Sequence, residues 1–109
     1  MIVLTEARME ESLNFLADSD EQLAQLLADM ERAEWRAKAT KHAQFLHLTG
    51  TVAEREAQAS TAPETMAAFD AYFDRVREFN TLKNKRATET IVIDCWRSVN
   101  SSRNRGVAY

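Results

Sequence analysis

Two clusters of side chains have the types and spacing to do chemistry, and both suit phosphates and bases better than bond making. The first is Lys83, Lys85, Arg86, Arg97, Arg103 and Arg105, set around the apolar run Ile91 to Trp96. The second is Trp35, Lys38, His42 and Phe45, at i, i+3, i+7 and i+10, flanked by Arg36 and Lys41, with no acid between Glu34 and Glu54. Cations pair with phosphates and aromatic faces stack on bases, so this alternation is what single-strand binding requires. A plainer account competes for each cluster. Trp and Phe at helical spacing usually pack inward while Lys stems run past them to water. Lys83, Arg86 and Arg97 would otherwise be a solvated face, with local pairs such as Lys85 with Glu89, and Arg103 and Arg105 a frayed end.

Other chemistries find no support. His42 and His47 are five apart, wrong for two ligands on one helical face, and no cysteine or carboxylate cluster completes a metal site. The Ser, His and Asp residues form no nucleophilic motif, and a chain with two Gly has no loop to cradle phosphates. Neither an enzyme nor a cofactor is expected. Charge separates along the chain: residues 75–109 carry eight Lys/Arg against three Asp/Glu, net +5, and residues 1–74 carry six against fourteen, net −8. Such asymmetry points to a polyanionic partner for one half.

The elements that must position these residues are helices. A chain of 109 residues makes one domain, residues 1–109. With one Pro, two Gly and abundant Ala, Leu, Glu, Arg and Gln, it should be all-α with long helices. Thr5 caps a short first helix over about residues 6–17, with Leu4 and Met9 as a hydrophobic staple. Asp18-Ser19-Asp20-Glu21-Gln22 reads as a second start, so a break is expected there. The next helix runs through Leu23, Leu26, Leu27, Met30, Ala33 and Ala37 to about Leu48, where Gly50 takes a left-handed conformation. Thr51 with Glu54 starts a short helix over residues 52–59, and Thr61 with Glu64, and Pro63 in the first turn, starts a last helix of about 40 residues. Met66, Phe69, Phe73 and Val76 stripe its first half.

In its second half, at 100° per residue, Lys83, Arg86, Thr90, Arg97, Ser101 and Asn104 share a basic sector that also contains Asp94. Ile91, Val92, Cys95 and Val99 lie opposite. Thr88 to Ile93 is β-branched enough for a strand, but no second such run exists to pair with it. Cys95, the lone cysteine, is expected to be a buried and inert thiol in a reducing compartment. The N-terminus reads as neither signal peptide nor membrane span, so a cytoplasmic protein without membrane contact is expected. The two long helices should fold back as an antiparallel hairpin. A helix of roughly 60 Å facing a partner of roughly 43 Å leaves stripe uncovered near Trp96, Val99, Val107 and Tyr109, so a homo-oligomer is expected through that end.

The run IVIDCWRSVNSSRNRG at residues 91–106, with the basic aromatic arm WRAKATKHAQFLH and the segment GTVAEREA, resembles the small helical recombination mediators of phages, the UvsY-like proteins. That resemblance implies a ring-like homo-oligomer in the bacterial host cell that binds single-stranded DNA and helps load a recombinase in place of a single-strand-binding protein. By position it implies Lys38, Lys41, Arg55, Lys83 and Arg86 as DNA contacts, and Ile91, Val92, Cys95, Trp96 and Val99 as the oligomer interface. The chain departs from the family in its acidic residues 1–34, with nine acids to two bases. That acidity leaves open a protein-only adaptor, or an inhibitor mimicking nucleic acid towards a host nuclease, as well as a purely structural oligomer.

Overall fold

The computed structural model describes residues 3–105 and is all-α: α1 is Glu6–His47, α2 is Val52–Thr61 and α3 is Pro63–Asn104, with no strand among the described residues. Thr5 caps α1 as its type predicts, its hydroxyl accepting from the Arg8 amide at 3.1 Å. Thr51 does the same for α2 through the Glu54 amide at 3.1 Å. Gly50, in the linker after α1, has the positive φ of 116° that a side chain would strain. Pro63 opens α3, where its missing amide hydrogen costs nothing. Its cap is not Thr61, which belongs to α2 and donates to the Ala57 carbonyl at 2.9 Å.

Two expectations about α1 are corrected. No short N-terminal helix exists, because α1 runs unbroken for 42 residues through the expected start signal at residues 18–22. The polar residues that suggested a break are used sideways: Ser19 donates to the Phe15 carbonyl at 2.6 Å, and Ser19 and Asp20 receive the Arg86 guanidinium. Neither Gly nor Pro stands there to force the helix open. In consequence α1 and α3 are equally long at 42 residues, and the unequal lengths from which an uncovered stripe is inferred are not found. Val107 and Tyr109, placed at that end, lie outside the described residues.

The chain forms two compact units. The terminal unit comprises residues 1–23 and 81–109. Met9, Ser12, Leu16, Ser19 and Leu23 of α1, spaced 3,4,3,4 like a coiled-coil seam, are buried or half-buried in it. They face Leu82, Arg86, Glu89, Ile93 and Trp96 of α3, which are also buried or half-buried. Pairing runs antiparallel here, since Arg8 and Ser12 meet Glu89 whereas Leu16, Ser19 and Asp20 meet Arg86. Val92 and Ile93 are its buried hydrophobic residues.

The middle unit, residues 24–80, contains the rest of α1, all of α2 and the start of α3. Leu26, Met30, Ala33, Ala37, Thr40 and Gln44 continue the 3,4 spacing on α1, and Phe69, Tyr72, Val76 and Phe79 supply half-buried positions on α3. Only Ala37 and Ala59 are its fully buried hydrophobic residues. Leu27, Trp35, Leu46, Val52, Met66 and Phe73 stay exposed.

Candidate nucleic-acid interface

The basic residues divide by unit, and their geometry separates those that hold the fold from those that face outward. In the terminal unit Arg86 is turned inward, its side chain 19% exposed, and donates to the Leu16 carbonyl at 2.7 Å, to the Ser19 hydroxyl at 2.7 Å and to Asp20. This corrects its place on an outward basic face. Seam positions 12 and 19 of α1 are serines too small to fill the space, so long polar side chains from α3 reach across and satisfy them. Beside it the buried Glu89 accepts from Arg8 at 2.9 Å and from the Ser12 hydroxyl. The Arg8 guanidinium, then the Ser12 hydroxyl, hold the Glu89 carboxyl below its ordinary value against the opposing effect of burial. Lys85 does not pair with Glu89 as a local salt bridge but lies over the Phe15 ring, 4.5 Å from its centroid.

The rest of that basic cluster is mixed. Lys83 is exposed and already has a partner. Arg97 and Arg103 are exposed and take part in no ion pair among the described residues. The opposite face also differs from expectation. Ile91 is 61% exposed and Cys95 is exposed rather than buried, whereas Val92 is covered inside its own chain and Trp96 and Val99 are half-buried. Turning Arg86 and Glu89 inward rotates Ile91 and Cys95 out to solvent.

In the middle unit the aromatic stripe faces outward for most of its length. Trp35 is 70% exposed, far from the core position that its helical spacing also allowed, and Arg36, Lys38 and His42 are exposed with it. Lys38 pairs with Glu34 at 2.9 Å, one turn back. That lysine, followed by the Tyr72 hydroxyl, lowers the Glu34 pKa, and the same carboxylate raises those of Lys38 and Tyr72. Lys41 pairs with Glu56 of α2. Phe45 is half-buried beneath Arg55, whose guanidinium carbon sits 4.6 Å from the ring centroid and whose Nε is buried without a hydrogen-bond partner. Arg55 and Phe45 are therefore tied up in packing α2 on α1, and Trp35, Lys38 and His42 form the outward face, with Arg36 exposed on its flank.

Beside that face lies a feature the sequence reading missed. A groove of about 560 Å³ opens along α1 and α3, with Ala33, Ala68 and Ala71 as small walls. Arg32 and Arg36 reach it from α1 and Arg75 from α3, with Asp29 as the acid among its lining residues. Arg36 has no ion-pair partner among the described residues. Arg32 meets Asp29 only at 3.4 Å, and Arg75 pairs at 2.8 Å with Glu78 on its own helix, so both are surface pairs that yield to a stronger anion. The available signal was Arg32 and Arg36 one turn apart with alanine between them.

No family model, curated protein or solved structure matches this chain. The site must speak through its chemistry. Among the described residues no group of His, Cys, Asp and Glu is placed to hold a metal, and no helix is long and apolar enough to cross a membrane. What the middle unit offers is an exposed indole among cations, which is fitted to stacking and to charge neutralisation.

Proposed function

We propose that this chain is a single-stranded-DNA-binding accessory protein of phage recombination, one that helps load a recombinase. It would work as a homo-oligomer of helical-hairpin units. The observation that carries the reading is Trp35, 70% exposed in the middle of a long helix and flanked by exposed Arg36, Lys38 and His42. An indole in that position contributes little to its own fold, and a base stacked on it is worth about 1–3 kcal/mol. The process, recombination, rests on the resemblance of residues 35–47, 50–57 and 91–106 to the phage mediators. Assembly is supported by the exposed apolar residues in each unit, Ile91 and Leu13 in one, Met66 and Phe73 in the other. Linked copies would add weak sites along one strand.

Fluorescence anisotropy with a labelled oligo-dT strand tests the reading. Trp35→Ala should weaken binding by about 5- to 140-fold, the loss of one stacked base. Binding should also fall steeply with salt. A parent protein that ignores the strand at low salt, or a Trp35→Ala variant that binds as well as the parent, would discard it. The second reading, a protein adaptor or nuclease inhibitor without DNA binding, is favoured by the exposed acids Glu6, Glu10, Glu11, Asp18 and Glu21 along the start of α1. That result would leave it standing.

A further inference from the structure

We infer that the groove holding Arg32, Arg36 and Arg75 is a seat for consecutive phosphate groups, taking the sugar-phosphate backbone of the strand whose base stacks on Trp35. This rests on the reading above and adds to it a second surface, on α3, with its own ligand chemistry.

Three features carry the assignment. Its charged lining residues are three arginines and one aspartate, so the space is net positive although the whole chain is net negative. Guanidinium groups bind phosphate oxygens in pairs of parallel hydrogen bonds, so three of them converging from two helices suit a chain of phosphates better than a single carboxylate. The walls are alanines where the seam elsewhere uses Leu, Phe and Tyr, and about 560 Å³ is left for a ligand backbone to enter. Continuity with the stacking face follows from spacing, because Arg32 lies three residues before Trp35, which makes the indole its neighbour on the helix surface, and Arg36 lies one turn after Arg32. Backbone and base would then be gripped at the same time, the backbone in the groove and the base outside it.

The test uses the full chain, three probes and two groove variants. The probes are an oligo-dT strand, an abasic strand of equal length and inorganic polyphosphate. Arg75→Gln removes a groove cation whose ion pair is on the surface, and Ala71→Leu fills the groove at an exposed position without changing charge. Both variants should fold as the parent does. Arg75→Gln should weaken oligo-dT and abasic strand by the same factor and flatten log K against log salt by about 0.7. Ala71→Leu should weaken both strands several-fold, while Trp35→Ala weakens oligo-dT alone. Unchanged affinity and slope in both groove variants, with Trp35→Ala still impaired on oligo-dT, would overturn the groove and leave the DNA-binding reading intact. Arg75-dependent binding of polyphosphate with no binding of either strand would overturn the backbone assignment and the DNA reading together, leaving a free polyphosphate as ligand. Binding of the abasic strand that needs Arg75, with Trp35→Ala indifferent on oligo-dT, would keep the groove and discard the stacking face. No binding of any probe would discard both.

Discussion

Replacing Glu89 by leucine puts the polar seam of the terminal unit to a quantitative test. Glu89 is buried and accepts two hydrogen bonds, from Arg8 at 2.9 Å and from the Ser12 hydroxyl, with a second Arg8 nitrogen in ion-pair contact at 2.7 Å. Hydrogen bonds to charged groups contribute about 1.5–3 kcal/mol each, but the losses do not add here. Ser12 keeps a bond to the Arg8 carbonyl at 3.2 Å, so its hydroxyl is not left unsatisfied. The Arg8 side chain is 25% exposed and can turn partly towards water. The uncompensated charge is thus only half trapped, and the expected destabilisation is about 2–3 kcal/mol, below the 3–5 typical of a fully buried pair. Leucine also fills part of the volume.

The informative comparison is the double variant Arg8→Met with Glu89→Leu, which removes both charges and packs apolar atoms in their place. Such replacements are commonly neutral or stabilising, so the double variant should return to within about 1 kcal/mol of the parent. Urea unfolding followed by circular dichroism at one fixed protein concentration gives both numbers. A single variant as stable as the parent would mean that Arg8 and Glu89 do not hold the helices together. A double variant as unstable as the single one would mean that the cost lies in shape, not in the stranded charge.

Two further outcomes follow from the same structure. Because Arg8 and Ser12 hold the Glu89 pKa below its unfolded value, the pair's stabilisation is complete above the ordinary carboxylate pKa of about 4.3 and is lost as pH falls through the lower folded value. The melting temperature should therefore drop below about pH 4 in the parent and more shallowly in the double variant, and parallel acid limbs would refute the attribution. Ile91→Glu, at a 61% exposed position, should release smaller species in light scattering if that face joins copies of the chain; an unchanged mass, whether monomeric or assembled, would remove the face from the assembly.

The parts of the fold that could be read from sequence are those decided by neighbours along the chain. Thr5 and Thr51 cap because their hydroxyls meet amides three residues on, and Pro63 starts α3 because its own ring fixes its conformation. Ser19 and Asp20 misled because the group that claims them, Arg86, stands 67 and 66 residues away. A local capping signal and a long-range polar contact use the same residue types, and nothing nearby in the sequence separates them. The stacking face was legible at Trp35, Arg36, Lys38 and His42 and illegible at Arg55, whose role depends on α2 folding over Phe45. The groove was invisible for a similar reason, since Arg75 meets Arg32 and Arg36 only once α3 packs on α1.

The net charge of +5 over residues 75–109 therefore says less about ligands than it first suggests. Its central member, Arg86, serves the register of the two helices. Sliding α3 along α1 by one turn would strip Arg86 from Ser19 and Asp20 and leave Glu89 buried without Arg8. An apolar seam of Leu and Ala would lose far less on the same slide. Polar groups at a few seam positions can fix register at some cost in stability, a role well attested for single polar residues in coiled coils. With Arg86 so occupied, Arg8 held on Glu89 and Lys85 resting on Phe15, three cations of the terminal unit serve its packing, while Arg97 and Arg103 stay exposed without an ion pair among the described residues. The middle unit differs in bringing such cations to one groove beside an exposed indole: Arg36 is unpaired among the described residues, and Arg32 and Arg75 have only surface pairs. A polyanion seeking unengaged charge next to a stacking surface would find both there, in the part of the chain where overall charge gives no hint of them.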